Sequence, residues 1–353
     1  MNPQVHRGLA GGSAFLTRFL AGAPADRTLW VCRPKSFAES GAKEWAERSA
    51  GRNLRIFCDF SSNPKIEDVE RGVALFRALS AEAVVGVGGG SVLDMAKLVN
   101  YFGSRKIGLD EHLQAPASPA VPLRPLLAVP TTAGSGSEAT HFAVVYRGQT
   151  KYSVADETIR PSHVLLVPEF TASMDAYQTA CTGMDALAQG LESIWARGAT
   201  DESRRSAREA LRLALDHLAA AVNRPTPEDR AAMLEAAHLA GRAIDVSKTT
   251  GAHAFSYALT SEYGLPHGHA VGLLLPFFVD YHQRAGIRVD PVDAPSLRRL
   301  SGAIGLDAKL PATATEIHAV LTRLVNLERL SNNPVPVDDG FVRDVASGLA
   351  GKT

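Results

Sequence analysis

An apolar run passes into three glycines and then into a helical pattern in the segment VGVGGGSVLDMAK, residues 85–97. The β-branched residues predict a strand, and the apolar spacing after Ser91 predicts a helix. Glycines such as Gly88, Gly89 and Gly90 allow a backbone to approach a pyrophosphate closely, and a helix N-terminus offers N–H groups to an anion. The segment therefore predicts a dinucleotide-binding turn. A tight strand-to-helix connection without a ligand is the alternative, because the spacing differs from the GxGxxG of the Rossmann motif.

A second polar segment, PTTAGSGSE at residues 130–138, also follows an apolar run directly. Its hydroxyl side chains and glycines form a dense set of hydrogen-bonding groups for phosphate and ribose oxygens. A solvated linker, the alternative, would be unusual between two apolar runs. The segment therefore predicts cofactor contacts from Thr131, Thr132 and Ser135.

The pattern around these segments changes along the chain. Through about residue 167, short β-branched runs alternate with helical periodicity, which predicts parallel strands joined by crossover helices. Strands are predicted at 28–32, 55–59, 83–87, 126–129, 143–146 and 164–167. After Pro168, long helical patterns at 184–196, 202–223 and 228–249 predominate, and 331–340 reads as a surface loop. We expect an α/β dinucleotide-binding domain at 1–168 and an all-helical domain at 169–353.

The composition excludes several classes of protein. The 353 residues carry 37 basic and 37 acidic side chains, so no long-range field would hold the chain on nucleic acid or an anionic membrane. The three cysteines form no CxxC pair, which argues against a disulfide framework or a cysteine zinc site and favours the cytoplasm. The longest late apolar run, 271–279, contains Pro276 and is too short to span a bilayer.

The second half of the chain contains candidate metal ligands. In TGMDALAQGLE, residues 182–192, Asp185 and Gln189 are four positions apart and share one face of a helix. His253 follows in GAHAF and His267 in PHGH. Nitrogen and carboxylate donors together suit a divalent transition metal. The alternatives are a helix-capping aspartate near a helix start and two core histidines.

The segments at 85–97, 130–138 and 182–192, followed by the stretch that contains His253 and His267, resemble in sequence and order those of the iron-containing alcohol dehydrogenases. The resemblance implies the dehydroquinate synthase-like fold of that family, with an NAD(P)H cofactor and a divalent metal, Fe²⁺ or else Zn²⁺. It implies that Asp185, His253 and His267 are metal ligands. It also implies cofactor contacts from Asp94 and Lys151.

Two positions differ from many members of that family. Gln189 stands where they have a ligand histidine, and Tyr257 stands where they have a histidine four residues after the first histidine ligand. The metal would then be held by three protein ligands and water, by Gln189 as a fourth ligand, or more weakly. Tyr257 either relays a proton, since a phenol both donates and accepts, or only packs.

The Gln variant most resembles a subgroup of phosphonate-pathway reductases, which implies reduction of phosphonoacetaldehyde to 2-hydroxyethylphosphonate. Because the protein has no net charge, cationic side chains and hydrogen-bond donors within the site would have to hold the dianionic headgroup. Candidates for that contact are His141, Lys248 and His269. The alternatives are another polar alcohol or sugar-derived substrate within the family, and a nucleotide-binding protein without catalysis.

A basic residue after the strand at 28–32 bears on the choice of cofactor. Many family members have an acidic residue there to hold the ribose hydroxyls of NAD, whereas this chain has Arg33. A guanidinium can pair with a 2′-phosphate, so Arg33 favours NADPH over NADH. The alternative is that Arg33 belongs to a basic surface loop that does not contact the cofactor. The resemblance also implies a homodimer.

Overall fold

The computed structural model describes residues 3–114, 121–148 and 150–352. It divides into two compact units between Ser173 and Met174, close to the boundary after residue 168 that the sequence predicts. Each unit has its own architecture. The first is α/β, and the second is helical.

The N-terminal unit alternates strands and helices along most of its length. Its strands are β1 (Gln4–Arg7), β2 (Thr28–Cys32), β3 (Arg55–Phe57), β4 (Ala83–Gly88), β5 (Leu126–Pro130), β6 (Phe142–Arg147), β7 (Thr150–Ala155) and β8 (His163–Leu166). Its helices are α1 (Leu9–Ala21), α2 (Pro34–Glu39), α3 (Ala42–Ala50), α4 (Ile66–Ala78), α5 (Gly90–Arg105) and α6 (Leu109–Gln114). The predicted parallel pattern is confirmed for most of these strands.

Six strands form one parallel sheet in the order β1-β8-β5-β4-β2-β3. Gly88 at the end of β4 pairs with Pro130 at the end of β5, and Cys32 at the end of β2 pairs with Val87. The segments that follow these three strands therefore leave the sheet at the same edge. This register brings together the predicted cofactor segments after β2, β4 and β5.

The strand at 143–146 was expected in the parallel sheet, and that expectation is wrong. It belongs to β6, which pairs antiparallel with β7 in a separate hairpin. The connection between them is too short for the crossover that parallel strands require. Neither β1 nor β7 was predicted from the sequence, because half-exposed polar residues interrupt both strands.

Apolar side chains cover both faces of the parallel sheet, as the run of buried residues in β2 shows. Leu29 and Val31 face one hydrophobic cluster, whereas Trp30 and Cys32 face another. Because successive side chains of a strand point to opposite faces, a sheet buried on both sides requires continuous apolar strands rather than alternating ones.

The C-terminal unit is helical. Its helices are α7 (Ala176–Trp195), α8 (Asp201–Asn223), α9 (Pro227–Ser247), α10 (Gly251–Tyr263), α11 (His267–Arg284), α12 (Ala294–Ala303), α13 (Ala314–Leu324), α14 (Leu327–Ser331) and α15 (Asp339–Leu349). Thr200 and Thr226 begin α8 and α9 with capping boxes. Helix α7 packs against α8, α9 and α11. None of the helices among the described residues is both long and apolar enough to cross a lipid bilayer.

Helix α7 begins earlier than the sequence pattern indicates. Asp175 accepts a hydrogen bond of 2.7 Å from the backbone N–H of Gln178 and caps the helix. Asp185 consequently lies in the middle of α7 and not near its start, so the capping interpretation of Asp185 is wrong. A buried aspartate within a helix needs partners from elsewhere in the fold.

Candidate cofactor turn and metal centre

The glycine turn joins the end of β4 to the start of α5. Gly89 is the N-cap of α5, and Gly90 is its first residue. The carbonyl of Gly88 accepts a hydrogen bond of 3.1 Å from Thr131 N–H, which links the turn to the segment after β5. The amides of Val92 and Leu93 donate to the carbonyl of Gly89, and those of Gly90 and Ser91 come before the first intrahelical hydrogen bond, which is the position from which helix amides bind anions.

Two of the glycines lie directly against the hydroxyl-rich segment. A Cβ atom on Gly90 would lie 2.7 Å from Ser135 Oγ, and one on Gly89 would lie 3.1 Å from Thr132 Oγ1. The structure thus brings together four residues that the sequence assigns to the cofactor. Backbone and hydroxyl groups, rather than charged side chains, meet at this point.

Asp94 and Lys97 lie one and two turns into α5 and hold the neighbouring segments in place. Asp94 accepts hydrogen bonds from Ser137 Oγ at 2.6 Å and from Val144 N–H at 3.0 Å. The ammonium of the fully buried Lys97 donates to Ser137 Oγ at 3.1 Å and to Thr140 Oγ1 at 2.8 Å. These partners give Asp94 a structural role; its cofactor contact stays a prediction.

Arg33 and Ser91 lie on either side of one loop. Arg33 donates a hydrogen bond of 2.9 Å to Ser62 Oγ, and Ser91 Oγ accepts one of 3.3 Å from Asn63 N–H. The loop 62–63 follows β3 and therefore connects the predicted determinant of cofactor choice to the glycine turn.

Two further predicted residues lie in and beside the β6–β7 hairpin. Lys151 is half-buried in β7. His141 precedes β6, and its Nδ1 is 4.0 Å from a carboxylate oxygen of Glu157. The contact of Lys151 with the cofactor and that of His141 with the substrate both stay predictions.

The candidate metal ligands converge in the C-terminal unit. Asp185 of α7, His253 of α10 and His267 at the start of α11 place one ligand atom each within 4.8 Å of one another. Asp185 Oδ1 is 3.1 Å from His253 Nε2 and 3.8 Å from His267 Nε2. With bonds of about 2.1 Å, tetrahedral ligand atoms are roughly 3.4 Å apart, so the three groups fit a divalent metal.

The glycine after His267 makes this convergence possible. A Cβ atom on Gly268 would lie 1.8 Å from the carbonyl oxygen of Cys181. Only a glycine therefore allows α11 to approach α7 so closely next to Asp185. Ser256 Oγ lies 3.4 Å from Nδ1 of His267, which leaves Nε2 as the nitrogen on the Asp185 side.

Glu192 is part of the site and was missed by the sequence analysis. Its fully buried carboxylate lies 2.6 Å from His253 Nδ1. Burial alone would raise the pKa of Glu192, but the charge and hydrogen bond of His253 keep that pKa below its usual value. A signal was present, because Asp185, Gln189 and Glu192 have the i, i+4, i+7 spacing of one helix face.

Two carboxylates therefore enclose the His253 ring. Burial alone would lower the pKa of His253, but Glu192 and Asp185 together raise that pKa well above its usual value. Burial alone would raise the pKa of Asp185, but the hydrogen bond of His253 and the charge of His267 keep that pKa low. A cation, whether a proton or a metal ion, is favoured between these groups.

Comparison with known proteins identifies the family. Residues 10–168 match the model described as iron-containing alcohol dehydrogenase, and residues 179–340 match the C-terminal model of the Fe-containing alcohol dehydrogenase family. The chain belongs to the iron-containing alcohol dehydrogenase family. This confirms the resemblance and the predicted fold.

Similar proteins within this family act on several substrates. Phosphonoacetaldehyde reductase from Streptomyces viridochromogenes is 37% identical over 239 residues, which are 65% of this chain and 60% of that protein. A 1-propanol dehydrogenase from Salmonella typhimurium is 29% identical over 92% of this chain and 82% of its own length. The crystal structure of sulfoacetaldehyde reductase from Bifidobacterium kashiwanohense in complex with NAD+ has a TM-score of 0.88 and is 29% identical, covering 100% of this chain and 98% of that one.

The two positions that differ from many family members lie against the metal cluster. Gln189 is buried, and its side chain hydrogen-bonds to Asp185. The ring of Tyr257 stacks on that of His267, with centroids 5.7 Å apart and planes 18° from parallel. Direct ligation by Gln189 and proton transfer by Tyr257 both stay predictions.

The remaining substrate candidates have different surroundings. The half-exposed ammonium of Lys248 is 3.1 Å from a carboxylate oxygen of Glu328. His269 is buried, and its Nδ1 is 2.8 Å from the hydroxyl of Tyr177. Burial lowers the pKa of His269. The ammonium of Lys248 is paired with Glu328, whereas the buried Nε2 of His269 has no hydrogen-bond partner among the described residues, which favours His269 as a neutral donor to a headgroup; both contacts stay predictions.

Proposed function

We propose that this protein reduces a small polar aldehyde to an alcohol with a nicotinamide cofactor and a divalent metal. The observation that carries the proposal is the cluster formed by the buried Asp185 and His253 with the half-buried His267. Membership of the iron-containing alcohol dehydrogenase family supports it and favours Fe²⁺, with Zn²⁺ as the alternative.

In this proposal Asp185, His253 and His267 hold the metal, and the buried Gln189 is either a fourth ligand or a hydrogen-bond partner of Asp185. When bound, a divalent metal acts as a Lewis acid on a carbonyl oxygen. Tyr257 lies against His267 and is the proposed proton donor. Its phenol can both give a proton and accept one.

We assign cofactor binding to the N-terminal unit and metal binding to the C-terminal unit. The glycine turn at Gly88–Ser91 and the hydroxyls of Thr131, Thr132 and Ser135 are the proposed contacts to the cofactor, with Asp94 and Lys151 beside them. Arg33 would pair with a 2′-phosphate, so NADPH is the proposed cofactor. The sulfoacetaldehyde reductase structure contains NAD+, which makes the comparison of NADPH with NADH an essential measurement.

The proposed substrate is phosphonoacetaldehyde, and the proposed product is 2-hydroxyethylphosphonate. Phosphonoacetaldehyde reductase and sulfoacetaldehyde reductase are both among the similar proteins, and both names specify a two-carbon aldehyde with an anionic tetrahedral headgroup. His269 is the proposed headgroup contact in the C-terminal unit. A 1-propanol dehydrogenase is also similar, so an uncharged aldehyde is the competing substrate.

An aldehyde panel tests this proposal. Metal-loaded protein would be assayed with phosphonoacetaldehyde, sulfoacetaldehyde and propionaldehyde, each with NADPH and with NADH. We expect kcat/KM to be highest for phosphonoacetaldehyde with NADPH. Equal values for propionaldehyde would exclude the phosphonate assignment but not the reductase, and cofactor binding without turnover of any aldehyde would exclude the reductase.

Replacement of His269 tests the headgroup contact. His269→Gln should raise KM for phosphonoacetaldehyde about tenfold or more and leave KM for propionaldehyde nearly unchanged, because only the charged headgroup loses a partner. An equal change for both aldehydes would show that His269 supports the site without contacting the headgroup.

We also propose that the protein works as a homodimer in the cytoplasm. The cysteines Cys32, Cys58 and Cys181 are free thiols, which a reducing compartment would preserve. Light scattering coupled to size exclusion measures the mass directly. A monomeric mass at micromolar concentration would exclude the dimer.

A further inference from the structure

Glu192 accepts several hydrogen bonds at the base of the metal cluster. Oε2 accepts from Thr250 N–H at 2.9 Å and lies 2.6 Å from His253 Nδ1. Oε1 accepts from Ala252 N–H at 2.7 Å and from His253 N–H at 3.3 Å. The side chain is fully buried. A carboxylate in such a position is stable only because donors surround it.

A structural role explains part of this arrangement. The backbone donors belong to the start of α10, where the first amides have no carbonyl one turn earlier. The N-cap residue Thr250 forms no side-chain cap, and its Oγ1 accepts a hydrogen bond of 2.9 Å from Trp195 Nε1 instead. Glu192 therefore caps α10 from the neighbouring helix α7.

Capping alone does not explain the contact with the imidazole. A histidine ligand must present an unprotonated nitrogen to the metal, and its other nitrogen decides which one that is. The Glu192 carboxylate accepts a hydrogen bond from Nδ1–H, so that nitrogen keeps its proton, and Nε2, which is 3.1 Å from Asp185 Oδ1, is the nitrogen that a metal would bind. Glu192 thus sets both the tautomer and the orientation of His253.

His267 is held differently. Its Nδ1 lies 3.4 Å from a hydroxyl oxygen, Ser256 Oγ, and 37% of its side chain is exposed, against 4% for His253. Of the two imidazoles, His253 is therefore the more buried one and the one that a carboxylate orients through Nδ1. A preset ligand binds a metal more tightly, because less ordering accompanies binding.

We infer that Glu192 is a positioning residue that sets the affinity and coordination geometry of the metal centre through His253. The inference rests on the metal assignment of the proposed function. Groups that orient a ligand histidine in this way typically contribute 10-fold to 100-fold to metal affinity. The structure assigns that contribution to a single carboxylate on the ligand-bearing helix α7.

The test is a measurement of Co²⁺ affinity in the full-length protein. Wild type, Glu192→Gln and the control Ser193→Ala would be stripped with a chelator and titrated with Co²⁺ against a competing chelator, and the visible absorption of bound Co²⁺ would be recorded. Ser193 is the adjacent buried residue, and its hydroxyl accepts a hydrogen bond from Ser247 instead. Thermal unfolding of the metal-free proteins separates loss of the helix cap from loss of metal affinity.

We expect Glu192→Gln to weaken Co²⁺ binding about 10-fold to 100-fold and to alter the Co²⁺ absorption bands, because an amide cannot accept all four hydrogen bonds. Ser193→Ala should match wild type in both. Folded Glu192→Gln with wild-type affinity and bands would overturn the inference even if its metal-free melting temperature fell, since Glu192 would then only cap α10.

Glu192→Asp provides a second variant in case the glutamine variant does not fold. It keeps the charge but draws the carboxylate back by one methylene group, so we again expect weaker Co²⁺ binding, and wild-type affinity would again overturn the inference. A wild-type protein that binds no Co²⁺ would instead overturn the metal assignment itself. The two failures are therefore distinguishable.

Discussion

The glycine turn and the metal centre are built from opposite kinds of groups. At the turn, the backbone of Gly89 and Gly90 lies against the hydroxyl side chains of Thr132 and Ser135. At the metal centre, the carboxylates of Asp185 and Glu192 enclose the His253 imidazole in a buried environment. The turn depends on close packing around residues without side chains, whereas the metal centre depends on the pairing of negative carboxylates with a positive partner.

This difference determines how each region is damaged. A methyl group added to the turn occupies space that a ligand or hydroxyl needs, but it leaves no charge unpaired. A carboxylate removed from the metal centre leaves buried partners uncompensated, which is strongly destabilising. We therefore expect additions to disable the turn and deletions to disable the metal centre.

The largest effect is expected from Asp185→Ala. Loss of this ligand should abolish metal retention and lower aldehyde reduction about a thousandfold or more, because Lewis-acid stabilisation contributes several kcal/mol. NADPH affinity should change little, since the glycine turn belongs to the N-terminal unit. Metal analysis, steady-state kinetics and NADPH fluorescence titration measure these three quantities.

Asp175→Asn is the matched control on the same helix. Asp175 caps α7, and asparagine is also a good N-cap, so metal content and rate should stay near wild type. Asp185→Ala protein with wild-type metal content would contradict the ligand assignment.

Gly90→Ala should produce the next largest effect. The added Cβ would lie 2.7 Å from Ser135 Oγ at the start of α5, so NADPH binding should weaken about tenfold or more while metal content stays unchanged. Gly11→Ala in α1 is the control, because its Cβ would have no atom within 4 Å. Equal NADPH affinities in the two variants would show that a methyl group at Gly90 does not affect NADPH binding. The turn would then be only a structural connection between β4 and α5.

Both regions could be located from the sequence, but the sequence predicted more of the structure of the glycine turn than of the metal centre. The glycine turn is a local feature, because strand, glycines and helix follow one another, and its contact with the segment after β5 follows from the pairing of Gly88 with Pro130 in a parallel sheet. The metal centre is assembled from three helices. Its ligands were found through their chemistry and the family resemblance, whereas the position of Asp185 in the middle of α7 was not.

Glu192 shows where the sequence analysis stopped short. Its spacing from Asp185 places both on one face of α7, yet many helices carry acidic residues at such intervals on a solvated face. Only the position of the start of α10 beside Glu192 gives this carboxylate its buried donors. The hairpin of β6 and β7 was missed for a related reason, since antiparallel pairing depends on a short turn rather than on the strand pattern itself.

A moderate effect is expected from Arg33→Asp, which replaces a positive charge after β2 with a negative one. An aspartate can accept hydrogen bonds from ribose hydroxyls and repels a 2′-phosphate. The ratio of kcat/KM for NADPH to that for NADH should therefore fall about tenfold or more. Lys35→Asp is the control, because the Lys35 side chain is 86% exposed and lies on the surface near Glu39. If both variants changed this ratio equally, Arg33 would act only through the general charge of the surface and not through a specific contact with the 2′-phosphate.

The smallest effect is expected from pH, and it concerns the metal centre alone. The pKa of His253 is raised in the metal-free protein by Glu192 and Asp185. A group whose pKa is raised by folding contributes stability below its unfolded pKa of about 6.5 and loses that contribution as pH rises through the folded pKa. The melting temperature of the metal-free protein should therefore decline above pH 6.5.

The metal-loaded protein is the control for this titration. A bound metal replaces the proton on Nε2, so the melting temperature of the metal-loaded protein should depend less on pH. The difference in melting temperature between the metal-loaded and the metal-free protein should therefore widen as pH rises. A constant or narrowing gap between pH 6.5 and 9 would contradict the charge balance described for His253.

In the proposed function, the cluster of Asp185, His253 and His267 holds the metal on which aldehyde reduction depends. The most direct test is the rate of NADPH oxidation with phosphonoacetaldehyde, measured on chelator-treated wild type as Fe²⁺ is added anaerobically in fractions of an equivalent. We expect almost no rate without metal, a linear rise and a plateau at about one equivalent per chain, which is the stoichiometry of a single site. Metal-free protein that reduces the aldehyde at the full rate would contradict the claim.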